Sequence, residues 1–242
     1  MIPLSDRNPT ETFPAVTLAI IALNVAAYFL FQHGTLSLDD PGSRAYLCNL
    51  ADYAAVPREY THAAFELGSC GGTPPSRWIT PFTAMFMHGS LLHLGGNMLF
   101  LWVFGNNIED AMGRVKFALF YVLGGLAALA LQVAVDPGSA VPTIGASGAV
   151  AAVLGGYILL YPRARVWTFL WIVVLPIPAL IVLGLWFVQQ IAFGYLGFVD
   201  PGAGDSGGVA YFAHIGGFGF GLLTIRAWVG SRRPPHAGRF AT

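Results

Sequence analysis

Long stretches of the chain carry no Asp, Glu, Lys or Arg, and they dominate its pattern of hydrophobic and polar positions. Six of these stretches reach 18 residues, and the segments between them carry the charged residues. A helix that spans a bilayer needs about 20 predominantly apolar residues. The pattern therefore predicts six membrane-spanning helices. Their expected ranges are 14–31, 87–107, 117–135, 146–161, 167–192 and 209–227.

The charged residues are distributed unequally between the two sides of these spans. Nine of the 12 basic residues share one predicted side. They lie before span one, between spans two and three, between spans four and five, or at and beyond the end of span six. Because basic loops favour the cytoplasmic side, we expect both termini to be cytoplasmic. Residues 1–13 are then a cytoplasmic segment, 14–230 the membrane domain and 231–242 a cytoplasmic tail. The loops expected on the outer side are 32–86, 136–145 and 193–208.

Composition supports a membrane protein and excludes other classes. Hydrophobic residues fill 55% of the 242 positions and charged residues only 10%, whereas a soluble domain carries about 25% charged residues. The net charge is zero, and a nucleic-acid-binding domain needs a basic excess, so no nucleic-acid partner is expected. The lipid bilayer is the expected surrounding. A bacterial inner (plasma) membrane is the expected location, because no organellar transit segment is visible.

Two cysteines, Cys48 and Cys70, both fall in the long first outer loop. An oxidising compartment permits a disulfide there. Two free thiols are equally compatible with the sequence, because spacing alone gives no geometry. The sequence also leaves the oligomeric state open.

A few polar side chains interrupt the apolar spans. Such groups are costly in hydrocarbon and often mark function, although a single Ser, Asn or His can also serve helix packing. Spans two, four and six run in the same direction, and a rise of about 1.5 Å per residue places their polar groups at similar depths. We therefore expect these side chains to meet in one layer. They are His88, His93, Asn97, Ser147 and His214.

Glycines in spans four and six favour close contact between these helices. Small residues four positions apart let helix backbones approach each other. Such a contact would bring Ser147 Oγ toward a ring nitrogen of His214, the nucleophile and base of covalent catalysis. The glycines concerned are Gly145 and Gly148 beside the serine, and Gly217 and Gly221 after the histidine.

The same layer offers hydrogen-bond donors for a developing oxyanion. The backbone N–H of Ser147 lies near a helix N-terminus, where N–H groups lack helical partners. Asn97 and His93 add side-chain donors. The spans hold no Asp or Glu near His214, so we expect a Ser–His dyad rather than a triad.

A zinc site is the competing interpretation. His88, His93 and His214 offer three nitrogen ligands. However, the first two are five residues apart with no Glu between them, unlike the H-E-x-x-H motif of zinc proteases. We therefore do not expect a zinc site.

Taken in order, these motifs resemble those of the rhomboid intramembrane serine proteases. The resemblance covers about residues 1–230, and the ordered set is far more specific than any one motif. The main motifs are His88-x4-His93-x3-Asn97, Gly145-x-Ser147-Gly148 and Ala213-His214-x2-Gly217-x3-Gly221. Two further segments are similar to the family, namely Gly105-x3-Glu109-x3-Gly113 and the opening Ile2-Pro3-Leu4.

The resemblance implies an all-α bundle of six transmembrane helices with a cavity open to the outer side. It implies cleavage of transmembrane segments in membrane protein substrates, without metal or cofactor. By this resemblance Ser147 is the nucleophile, His214 the general base and acid, and His93 and Asn97 the oxyanion donors. His88 is expected to support the cavity through hydrogen bonding, and the four glycines to support the site.

Some positions depart from the family pattern. An aromatic residue that often follows the nucleophile by four positions and stacks on the catalytic histidine is Ala151 here. Span five is a proposed gate in such proteins, and Pro176 and Pro178 are expected to kink it. An alternative function is therefore an inactive rhomboid-like protein that binds or delivers membrane clients. A small-solute transporter is a third hypothesis, but the sequence shows neither an inverted repeat nor a buried charge pair.

Overall fold

The computed structural model describes residues 1–36, 38, 43–62, 65, 75–199 and 209–230. Most of these residues are helical, and a small sheet lies at one end. The strands are β1 (Ile2–Asp6), β2 (Arg165–Leu170) and β3 (Val173–Pro178). The helices are α1 (Ala15–Ala26, continued by a π-helical turn Ala27–Phe31), α2 (Arg44–Tyr53), α3 (Pro57–Thr61), α4 (Thr80–Thr83, continued by a 3-10 turn Ala84–Phe86), α5 (Leu91–Met112), α6 (Arg114–Val135), α7 (Ser147–Leu160), α8 (Ala179–Val199) and α9 (Tyr211–Val229).

Three helices among the described residues, α6, α8 and α9, are long and apolar enough to cross a membrane. Helix α1 with its π-helical turn, and α7, are apolar but shorter. Apolar helices of this length identify a membrane protein. Helices α1 and α5–α9 each overlap one predicted span, but six crossings and their orientation stay predictions.

In the first predicted outer loop, Cys48 is disulfide-bonded, and Cys70 lies outside the described residues.

The prediction of a helical span over residues 167–192 is wrong in its first half. Strands β2 and β3 form an antiparallel hairpin there, with Val166 opposite Ile177 and Thr168 opposite Leu175. Pro176 and Pro178 therefore end a strand instead of kinking a helix. The physical reason is that a charge-free run does not distinguish strand from helix, and β-branched residues and prolines favour extended backbone.

The expectation of an all-α fold is wrong for the same region and for the N-terminus. Strand β1 pairs antiparallel with β2, so Ile2 lies opposite Phe169 and Asp6 opposite Val166. The N-terminal segment is therefore part of a three-stranded sheet, not a freely solvated end. This pairing joins the start of the chain to the hairpin that precedes α8.

Helix α7 lies at the centre of the molecule, and every residue from Gly148 to Tyr157 is buried. It packs against α5, α6 and α9. Its 14 residues correspond to about 21 Å at 1.5 Å per residue, less than the ~30 Å hydrocarbon core of a bilayer. Ser147, the first residue of α7, therefore need not lie at the bilayer surface, and it lines a cavity among the helices.

Two carboxylates at the end of α5 hold the start of α1. Glu109 accepts hydrogen bonds from the backbone N–H groups of Val16 and Thr17, at 3.0 and 2.8 Å. Asp110 accepts one from the N–H of Thr12 at 2.9 Å. The first N–H groups of a helix have no helical partners, and a carboxylate there also interacts favourably with the helix dipole. These acidic residues at the end of predicted span two thus stabilise the packing of α1 on α5.

Asp6 anchors strand β1 to the bundle. One oxygen of its carboxylate, Oδ2, accepts hydrogen bonds from the Tyr157 hydroxyl at 2.5 Å and from Nδ2 of Asn107 at 3.1 Å. Burial raises the pKa of Asp6 from 3.8 to about 6, and the hydrogen bond from Tyr157 partly offsets this effect. The folded protein therefore holds a proton on Asp6 more tightly than the unfolded chain does.

Asp6→Asn is expected to remove part of the pH dependence of stability. Because the folded pKa of Asp6 is raised, its contribution is full below about pH 4 and is lost as pH rises through about 6. The loss amounts to at most about 3 kcal/mol. An Asn oxygen can accept both existing hydrogen bonds but does not titrate. Thermal unfolding in detergent at pH 4.5 and 7.5 measures this, and an equal pH dependence in both proteins would contradict the assignment.

Candidate active site

Ser147 begins α7 directly after a backbone turn that requires glycine. Gly145 has φ +117°, in the region that side chains rarely adopt. A Cβ at this position would also lie 2.8 Å from Nε2 of His93. The N–H of Gly145 donates to the carbonyl of Ala84 at 2.9 Å. The turn is thus held between α5 and the segment before it, which fixes the position of Ser147.

Glycines bring α9 into backbone contact with α7. A Cβ on Gly217 would lie 2.0 Å from the carbonyl oxygen of Gly148, and a Cβ on Gly221 1.9 Å from that of Ala152. Gly148 is itself packed against α6, where a Cβ would lie 2.5 Å from Cβ of Ala128. Any side chain at these positions would separate the helices. The structure therefore shows the close α7–α9 contact that the glycine spacing predicts.

This contact places His214 beside Ser147. Nε2 of His214 lies 2.8 Å from Oγ of Ser147. Nδ1 of the same ring lies 2.8 Å from Oε1 of Gln190 on α8. A hydroxyl bonded to an imidazole whose second nitrogen is held by a third group is the arrangement of an activated nucleophile. The site can therefore pass a proton from the hydroxyl to the imidazole.

His93 and Asn97 line the same cavity as Ser147 and His214, and its volume is about 900 Å³. Nδ1 of His93 accepts the N–H of Gly89 at 3.2 Å, so Nε2 carries the ring proton of the neutral imidazole. Asn97 is only 7% exposed, and its Nδ2 has no hydrogen-bond partner within the described part of the chain. Both side chains thus keep an N–H donor free for a group that enters the cavity.

His88 does not make the ring hydrogen bonds expected of it. Its ring is 0% exposed, and neither ring nitrogen has a partner among residues with a described position. Instead, the ring packs edge-on against His93, with centroids 5.1 Å apart. Its backbone carries the hydrogen bonds: the N–H donates to Gln32 at 2.9 Å, and the carbonyl accepts from Tyr46 at 3.1 Å. His88 therefore supports His93 by packing, while its backbone carries the hydrogen bonds.

A three-histidine metal site does not form. Both ring nitrogens of His214 are taken up by hydrogen bonds to Ser147 and Gln190. Across the described ranges, no three His, Cys, Asp or Glu side chains are arranged to hold a metal ion.

Sequence reasoning did not place three residues beside His214: it passed over Gln190 and Gln132, and it considered Trp186 only as a plug of span five or a lipid-interface aromatic. Gln190 bonds its ring, Trp186 lies with its ring centroid 5.8 Å away, and Gln132 accepts the backbone N–H of Ala213 at 3.2 Å. The signal was present for the two glutamines, because each is an amide in an otherwise apolar run, and such residues often mark function. Nothing in the spacing shows that the indole of Trp186 turns inward.

Comparison with known proteins supports one family. The model of the Rhomboid domain matches residues 75–231. The chain is 33% identical over 144 residues to Rhomboid protein 1, mitochondrial, of Saccharomyces cerevisiae, covering 57% of this chain and 38% of the relative. It is 30% identical over 206 residues to Rhomboid-type serine protease 2 of Emericella nidulans, covering 78% and 36%.

A plant protein shows the same relation. RHOMBOID-like protein 4 of Arabidopsis thaliana is 33% identical over 165 residues, which cover 63% of this chain and 36% of the relative. The chain thus spans little more than a third of the length of each of these three relatives. Since the domain match extends over more than half of the chain and includes α5–α9, this membrane protein belongs to the rhomboid family.

Proposed function

We propose that the chain is an intramembrane serine endopeptidase that cleaves transmembrane segments of membrane proteins. The main support is the 2.8 Å contact between Nε2 of His214 and Oγ of Ser147. Both residues line a cavity of about 900 Å³ among apolar helices. The fungal relative named a rhomboid-type serine protease is in keeping with this activity.

The proposed reaction proceeds through an acyl-enzyme. Oγ of Ser147 attacks the scissile carbonyl carbon while its proton passes to Nε2 of His214. The tetrahedral intermediate collapses, the C–N bond breaks, and His214 gives the proton to the leaving amine. A water molecule then gives a proton to His214 and attacks the ester carbon. The bond from this carbon to Oγ breaks as His214 returns the proton to Oγ, and this releases the carboxylic acid product and restores Ser147.

His93 and Asn97 are proposed as oxyanion donors, together with the backbone N–H of Ser147. Preorganised donors that face the developing charge usually provide a large share of the rate enhancement. The Nε2–H of His93 and the unpaired Nδ2 of Asn97 both belong to the wall of the cavity that holds Ser147. Ser147, His93 and Asn97 all line this one cavity, and this supports the proposed role.

The membrane arrangement is proposed from the charges and the helices together. Six spans with both termini on the cytoplasmic side would place the β1–β3 sheet on that side and open the cavity to the outer side. A client helix would enter sideways between α5 and α8, where Phe100 and Trp186 meet with ring centroids 6.4 Å apart. The bacterial inner membrane expected from the sequence gains no support from the relatives, one of which is named as mitochondrial.

A fluorophosphonate probe tests the proposal. Such probes react covalently with activated serines. In detergent or liposomes, the wild-type protein is expected to be labelled on the peptide that contains Ser147, as mapped by mass spectrometry. Ser147→Ala should abolish labelling without changing expression or thermal stability. An unlabelled wild-type protein would instead support the alternative of a rhomboid-like protein that binds clients without cleaving them.

A further inference from the structure

We propose that Gln190 is the positioning residue for His214 and takes the part that an Asp plays in a serine-protease triad. This inference rests on the proposed function. Gln190 is 5% exposed, and its Oε1 lies 2.8 Å from Nδ1 of His214. A charge-neutral amide avoids the large cost of placing an unpaired carboxylate in an apolar bundle.

The amide orientation of Gln190 determines which tautomer of His214 forms. Nε2 of Gln190 donates to the backbone carbonyl of Trp186 at 3.3 Å, so the amide oxygen is the atom that faces the imidazole. An amide oxygen only accepts hydrogen bonds. Nδ1 of His214 must therefore be protonated and donate, which leaves Nε2 unprotonated in the neutral ring. That is the tautomer required to accept the proton of Ser147.

Helix α8 also supplies an aromatic contact where α7 has none. The position four residues after Ser147 is Ala151, too small to stack on the imidazole. Trp186, one turn before Gln190, has its ring 5.8 Å from that of His214 with an angle of 35° between the planes. The same indole packs against Phe218 of α9, with ring centroids 6.2 Å apart. One helix thus fixes both the ring position and the protonated nitrogen of His214.

The position and tautomer of His214 therefore depend on α8, whereas α7 and α9 bring its ring to Ser147. Helices α7 and α9 are joined by glycine contacts along their length, whereas α8 meets α9 through side chains such as Phe187 and Phe218. Movement of α8 away from α9 would break the Gln190–His214 bond and leave the α7–α9 contact intact. The imidazole would then lose its fixed tautomer while staying near Ser147.

The matched variants are Gln190→Met, Gln190→Glu and Gln189→Met. Methionine keeps the length of the side chain and removes the acceptor, and glutamate keeps an acceptor oxygen whether or not it is protonated. Gln189 precedes Gln190 on the same helix but is exposed, so its replacement controls for changes in α8 itself. Activity is measured as kcat and KM on a transmembrane reporter in liposomes.

Gln190→Met is expected to lower kcat by about 10- to 100-fold, the value of one buried hydrogen bond, with KM unchanged. Gln190→Glu should recover kcat to within about fivefold of wild type, because hydrogen bonding and not charge sets the tautomer. Gln189→Met should match wild type. Wild-type kcat in Gln190→Met, or equal losses in the Met and Glu variants, would overturn the proposal.

A spectroscopic measurement separates this inference from the proposed function. In protein labelled with ¹⁵N-histidine, His214 should show the Nδ1–H tautomer in wild type and lose it in Gln190→Met. If wild type shows this tautomer but cleaves nothing and takes no probe, the proposed function fails and the positioning role stands. If wild type cleaves its reporter while His214 is the Nε2–H tautomer, the positioning role fails and the protease stands.

Discussion

Replacing His214 with alanine is expected to lower kcat for cleavage of a transmembrane reporter by at least about 10³-fold. The hydroxyl of Ser147 is a weak nucleophile at its ordinary pKa and needs a base within hydrogen-bond distance. Nε2 of His214 lies 2.8 Å away and is the ring nitrogen that can take this role. The measurement is the initial rate of cleavage in liposomes at saturating substrate, because the effect is on chemistry and not on substrate binding.

A double variant makes this test specific for a dyad. Ser147→Ala alone should be as defective as His214→Ala, and Ser147→Ala combined with His214→Ala should be no worse than either. Residues that act as one unit are strongly non-additive in this way. If the fold-decrease in kcat of the double variant equalled the product of the two single fold-decreases, the side chains would act independently and the dyad mechanism would be wrong. Equal melting temperatures for the four proteins serve as the control for folding.

The reactive pair was accessible to sequence reasoning because polar residues stand out in apolar spans. Ser147 and His214 each lie beside glycines that allow close contact of helices, and helix rise places them at similar depths. Each inference used only local spacing and one general property of a bilayer. The pairing of α7 with α9 was therefore predictable before any coordinates, and so was the presence of His93 and Asn97 on one face of α5.

The side chains that hold the imidazole of His214 could not be predicted from the sequence in the same way. Gln190 and Trp186 reach the imidazole from α8, which begins at Ala179, after the β2–β3 hairpin, and not near residue 167. The rotation of α8 against α9 is set by tertiary packing that the sequence pattern does not show. Hydrophobic runs do not distinguish a buried strand from a helix, and the pairing of β1 with β2 is a contact across more than 150 positions that no local pattern specifies.

Gly221→Ala is the second substitution for which we expect a large effect. A Cβ at this position would lie 1.9 Å from the carbonyl oxygen of Ala152 and 2.9 Å from the N–H nitrogen of Gly156. Both atoms are backbone, so no side-chain rotation relieves the overlap and α9 must move away from α7. Overpacking of this kind costs about 3 kcal/mol. We expect a lower thermal unfolding temperature in detergent.

The same displacement should impair catalysis, because His214 lies two helical turns from Gly221. A misplacement of about 1 Å between reacting groups can cost about 10²-fold in rate, and the fluorophosphonate reaction with Ser147 should slow by a similar factor. Gly219→Ala is the matched control: it is the same change on the same helix, and a Cβ there has no heavy atom within 4 Å. It should keep the wild-type rate, and its free energy of unfolding should lie within about 1 kcal/mol of that of wild type. If Gly219→Ala were as harmful as Gly221→Ala, the loss would reflect glycine in α9 generally, and close backbone contact would not be what brings His214 to Ser147.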